Sequence, residues 1–165
     1  MTAARQERKA QASAVLLALV AVLTALGPTF GVAATTERVV TNRLTGLAID
    51  GFDPVAYFTD AAPKPGRPDF EERADGASWR FVNEGNRAAF VAAPEVYMPR
   101  FGGYDPVGIA RGVATAGNPE YWLVSHQRLY LFYNAAARQA FAADPATAVE
   151  AAERHWPRVR RTLAP

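Results

Sequence analysis

Three Asp-Pro pairs, Asp53-Pro54, Asp105-Pro106 and Asp144-Pro145, constrain the fold of this chain more than any other feature. An aspartate accepts hydrogen bonds from the free N–H groups of a first helical turn. Proline suits the first helical position because its missing N–H has no intrahelical partner there. Each pair therefore marks a helix start. The 12 glycines and 12 prolines of the 165 residues keep the elements between those starts short.

Asp53-Pro54 predicts a short helix through Val55, Ala56, Tyr57 and Phe58, and residues 61–68, with three prolines and a glycine, predict a loop. Asp75-Gly76 between Phe70–Ala74 and Ala77–Val82 is a hairpin signal, and alternation places Ala77, Trp79 and Phe81 on one face. Asn83 caps a helix to about Val91, Pro94 opens a turn holding Val96 and Tyr97, and Phe101-Gly102-Gly103-Tyr104 is a further turn. Asp105-Pro106 starts a helix toward Arg111, and residues 112–119 form a loop. A second hairpin pairs Tyr121–Val124 with Leu129–Tyr133; its strands are almost wholly apolar, which makes it central. Asn134 caps a helix over Ala135–Ala143. Asp144-Pro145 starts a last helix with Val149, Ala152 and Trp156 on one face, and Pro157 ends or kinks it. The fold class is α+β: a small single domain with two β-hairpins, several short helices and a longer C-terminal helix. Capping chemistry accounts for the recurring Asp-Pro pairs, and no internal repeat is read.

The N-terminal segment sets the expected destination. Arg5, Arg8 and Lys9 precede an apolar run from Ala14 to Leu26, followed by the small residues Gly31-Val32-Ala33-Ala34. This is the layout of a secretory signal peptide, and the run is shorter than the ~20 apolar residues of a spanning helix. Export to the periplasm or the medium is expected, with no membrane span after cleavage. Removing residues 1–34 takes away three basic residues and Glu7, which leaves positive and negative charges equal. No basic patch of the nucleic-acid-binding kind stands out; Arg154, Arg158, Arg160 and Arg161 suit a helix C-terminus. The chain has no cysteine, so disulfides and thiolate-bound copper or zinc are excluded, and no cofactor is expected.

Several motifs together resemble the YHS domain family. Gly51-Phe52-Asp53-Pro54-Val55-Ala56-Tyr57-Phe58 is similar to its Asp-Pro-Val opening, and Trp79-Arg80-Phe81 with Phe90, Pro94 and Tyr97 to its aromatic strand and following helix. Pro99–Tyr104, Leu129–Asn134 and Trp156-Pro157 resemble a longer, exported bacterial subgroup. Weak alternation of Val39, Val40, Leu44, Leu47 and Ile49 reads as an extended N-terminal segment over 35–50; the resemblance implies a YHS-like domain over 51–157, and a basic tail follows over 158–165. The resemblance also implies metal binding through cysteines, but Ala56, Val82, Asn86 and Asp105 stand at the family's cysteine positions.

No catalytic residues are assigned. Ser125 and His126 are adjacent on a turn and are not expected to face each other, and no Gly-x-Ser-x-Gly or phosphate-cradling glycine pattern occurs. The expected role is a non-catalytic binding or accessory module for a small molecule or an envelope protein. The ligand site is placed over Tyr97, Arg100, Gly102, Gly103, Tyr104 and Asp105, with Asp53 and Tyr57 nearby. A Gly-Gly bend permits close backbone approach, and helix starts offer free N–H groups. The alternatives are an oxygen- and nitrogen-ligand metal site using Asp53, Asp105 or His126, and a protein-interaction subunit.

Overall fold

The computed structural model describes residues 37–164, which lie within one compact unit; the expected signal peptide lies outside the described residues. The fold is α+β. Helix α1 (Ala56–Thr59) leads to an antiparallel hairpin of β1 (Arg67–Ala74) and β2 (Ala77–Phe81), then to α2 (Glu84–Ala92) and the short α3 (Pro94–Tyr97). Helix α4 (Pro106–Ala110) leads to the hairpin of β3 (Asn118–Ser125) and β4 (Arg128–Phe132), then to α5 (Ala135–Ala143) and the long α6 (Pro145–Arg160). The hairpins form two separate two-stranded sheets.

These two series are copies of one unit, and the absence of a repeat expected from sequence is corrected here. A 3-10 turn with left-handed residues opens each copy: Ile49, Asp50 and Gly51 at φ 43°, 55° and 79°, and Phe101, Gly102 and Gly103 at 57°, 64° and 88°. Asp53 N–H donates to Lys64 O and Asp105 N–H to Thr115 O; Gly66 N–H donates to Gly51 O and Gly117 N–H to Gly103 O. Both hairpins carry a register shift at the same place, between Arg67 and Glu71 and between Asn118 and Trp122. Asn83 and Asn134 cap α2 and α5 through their side chains. Phe90 and Phe141 then bury the same helix face against Phe81 and Phe132. The copies diverge at their ends: after the equivalent prolines Pro94 and Pro145, α3 is 4 residues long and α6 is 16.

Two hydrophobic cores result. One gathers Ile49, Val55, Tyr57, Trp79, Phe81 and Phe90. The other gathers Phe101, Tyr104, Ile109, Phe132, Phe141 and Val159. Strand β4 serves both: Leu129 and Leu131 face the first, Tyr130 and Phe132 the second. Successive residues of a strand point to opposite faces, so a strand between two cores must be apolar throughout. The N-terminal strip joins the halves again. Val39 packs in the first core and Val40 in the second. Val40 N–H donates to Gly102 O, and Ile49 N–H donates to Val40 O.

Three local expectations change. β1 and β3 begin inside the segments expected to be loops, because their first residues pair across the register shifts. Helix α6 runs through Pro157 to Arg160, held by Trp156 and Val159 in the second core. The residues expected to form a basic tail bury Val159 and Leu163.

Gly66 and Gly117 are the tightest points of the two copies. A Cβ on Gly66 would lie 2.4 Å from the Arg80 carbonyl carbon, and one on Gly117 2.6 Å from Gly103 O and Leu131 Cβ. Gly66→Ala and Gly117→Ala are each expected to lose about 1–3 kcal/mol through overpacking. Gly85→Ala, on the exposed first turn of α2, sets a Cβ 3.2 Å from Asn83 Oδ1 and no closer to anything else, so helix propensity offsets that contact and stability should change by less than about 1 kcal/mol. Urea titration of the three variants checks the contrast.

Candidate functional site

The expected site residues divide between the frame of the fold and two separate cavities. Asp53 belongs to the frame. It is fully buried, and its Oδ1 accepts from Val55 N–H at 2.8 Å and Ala56 N–H at 3.3 Å. Its Oδ2 accepts from Val82 N–H at 2.8 Å and from Asn86 Nδ2 at 2.7 Å. One carboxylate thus ties a helix start, the end of a hairpin and α2 together. Tyr57 is buried, donates to Pro119 O at 3.0 Å and packs edge-on against Trp122; burial raises its phenol well above the ordinary tyrosine range. Tyr104 is also buried and donates to Glu37 O. Gly103 is buried at the bend, and Tyr97 packs edge-on against Phe58.

Asp105 is the image of Asp53 and is less completely satisfied. Its Oδ1 accepts from Val107 N–H at 2.9 Å, and its Oδ2 from Tyr133 N–H at 3.4 Å. Tyr133 stands where the first copy has Val82, and Ala137 where it has Asn86, so the carboxamide donor is missing. A cavity of about 240 Å³, lined by Asp105, Gly108, Arg111, Thr115, Tyr133 and Ala137 among others, lies at the vacated position. Burial raises the Asp105 carboxyl above its ordinary value, opposed by the N–H groups of Val107, Tyr133 and Gly108 and by Arg111.

Arg100 and Gly102 meet at the third place, a groove of about 340 Å³ between the turn of the first hairpin and the last turns of α6. Gly102 is glycine because a Cβ there would fall 1.9 Å from Arg38 O. Arg100 pairs with Glu153 at 2.6 Å and lies over the Phe101 ring. Met98, Phe101 and Trp156 supply apolar walls. Arg38, Arg160, Asp75 and Glu95 add charged groups to the lining. Their side chains make no hydrogen bond or ion pair with other described residues. Sequence reading missed Arg38, Trp156 and Arg160 as site residues, because only the tertiary fold brings the two ends of the described domain to the Gly-Gly bend. The four charges had no sequence signal, since an isolated surface charge looks like any other.

The metal alternative gains no geometry. Among the described residues, no group of three or more His, Asp or Glu is placed to hold an ion. His126 sits exposed in the second hairpin turn. Its Nδ1 is 3.1 Å from Ser125 Oγ, so the adjacent pair does meet, contrary to expectation, but no carboxylate among the described residues bonds to the ring. His155 lies on α6 with Nδ1 buried and unpartnered among the described residues. No described helix is long and apolar enough to cross a membrane. Comparison with protein families, with curated proteins and with solved structures finds no match to this chain in any of the three.

The twin aspartates give a direct test. Asn86→Ala removes a buried donor from Asp53 and should cost about 1–3 kcal/mol, whereas Ala137→Asn supplies the missing donor to Asp105 and should add about 1 kcal/mol. Because the folded Asp105 carboxyl titrates above its unfolded value, its contribution is present in acid and is lost as pH rises through the raised value. The protein should therefore gain stability relative to Asp105→Asn as pH falls from about 7 to about 4. Urea midpoints across that range measure both effects.

Proposed function

We propose that this chain is an exported, non-catalytic binding module of the YHS type, and that its groove takes a small zwitterion with an apolar body, such as an aromatic amino acid. One observation carries the ligand class: two arginines and two acids line the same groove without pairing with any described residue. Arg38 and Arg160 are free to meet a carboxylate, and Asp75 and Glu95 an ammonium. Charge-assisted hydrogen bonds are the stronger kind, and Trp156, Phe101 and Met98 offer apolar surface beside them. The groove falls within the volume range of small-molecule sites.

The YHS reading rests on the ordered motifs of the sequence, from Asp53-Pro54-Val55 to Trp156-Pro157. Ala56, Val82 and Asn86, three positions where the resemblance implies cysteine, all donate to the single carboxylate of Asp53. The charged N-terminal region, apolar run and small residues before position 35 support export.

Calorimetric titration with tryptophan, phenylacetate and phenethylamine tests the ligand class. The zwitterion should bind more tightly than either singly charged analogue. Arg160→Gln and Glu95→Gln should each weaken it about tenfold or more, as loss of a charge-assisted bond requires. Equal affinity for all three ligands, or none for any, would remove the zwitterion reading.

A further inference from the structure

The two copies differ most where β3 meets α5. The first copy has Glu71, Glu72 and Arg73 on β1; their images on β3 are Trp122, Leu123 and Val124. In the first copy Arg87, on α2, bonds Glu72 at 3.1 Å and Glu84 at 2.7 Å. Its image, Arg138, is still arginine. Both of its acids are gone, replaced by Leu123 and Ala135, and no described residue pairs with the guanidinium. An exposed arginine that keeps its place after losing both counterions stands at the lip of an apolar groove of about 590 Å³. Phe58 and Trp122–Val124 form the body of that groove, and Ala142 leaves room beside Arg138 where the first copy has Val91. Tyr57 also faces it, but its hydroxyl is already used by Pro119 O.

We propose that this groove is a second binding site, for a small monocarboxylate with a flexible or flat apolar body, whose carboxylate is held by Arg138. Guanidinium matches carboxylate geometry in a two-pronged contact, and the apolar body gains by leaving water along Trp122 and Leu123. This site is independent of the zwitterion groove. It shares no lining residue with it and needs no cationic group on the ligand.

Decanoate is the probe, with decanol as its uncharged counterpart, titrated into the full chain by calorimetry and followed by tryptophan fluorescence. The expected result is saturable one-to-one binding of decanoate, weakened about tenfold or more in Arg138→Gln, with decanol weak and unaffected by that change. Leu123→Glu rebuilds the ion pair of the first copy and should abolish decanoate binding; urea titration establishes that both variants remain folded. Arg160→Gln should leave decanoate binding unchanged, which separates this site from the other groove. Three results would overturn the proposal: no saturable binding, equal binding by Arg138→Gln and the parent protein, or binding only to anionic phospholipid vesicles and not to free decanoate.

Discussion

Burial of β4 on both faces is the constraint on which the rest of the fold depends. Leu129 and Leu131 complete the core of the first copy, though they belong to the second. Tyr130 and Phe132 complete the second core from the same strand. Neither half can close its own interior without that strand. The two hairpins remain separate sheets, yet cooperativity between the halves is built in, because unfolding the first copy exposes one face of β4 and unfolding the second takes Leu129 and Leu131 out of the first core. The apolar run that marks the second hairpin in the sequence has this cause.

Around that shared strand, both copies use the same polar fastening. A buried aspartate before a proline gathers N–H donors from a helix start and from the residue after the second strand. Burying a carboxylate is unfavourable unless donors surround it. The first copy meets that demand with four donors, whereas the second leaves its Oδ2 with one long contact. Repetition makes such differences readable: each copy shows what the other has given up. Asn86 against Ala137 and Glu72 against Leu123 are not arbitrary surface changes. They open cavities at places where the sister copy is filled or paired.

Much of the local structure was legible in the sequence because its causes are local. Asn83, Asn134, Asp105 and Asp144 accept from N–H groups two or three residues on, so the helix starts fell where caps and prolines stood. Asp75-Gly76 marked its turn for the same reason. The repeat was not legible. The residues shared by the copies, such as Gly66 and Gly117, Phe81 and Phe132, and Asn83 and Asn134, sit at buried or turning points, while the strand surfaces between them have diverged. The strand starts at Arg67 and Asn118 depend on pairing across a register shift, which no local signal carries. The candidate site was legible only in part. Arg100 and Gly102 were found through the Gly-Gly bend, but Arg38, Trp156 and Arg160 reach it from the opposite ends of the described domain.

Glu37 and Ala164 form a parallel bridge, so the described domain enters and leaves at one edge. A short linker between those residues would make the backbone a closed ring without disturbing either core. The connection between Tyr97 and Arg100 joins two copies of one unit and lies outside both hairpins, but Met98 packs against the first core and Pro99 is buried, so reopening the ring there would expose both. What the fold requires is that both halves be present around β4.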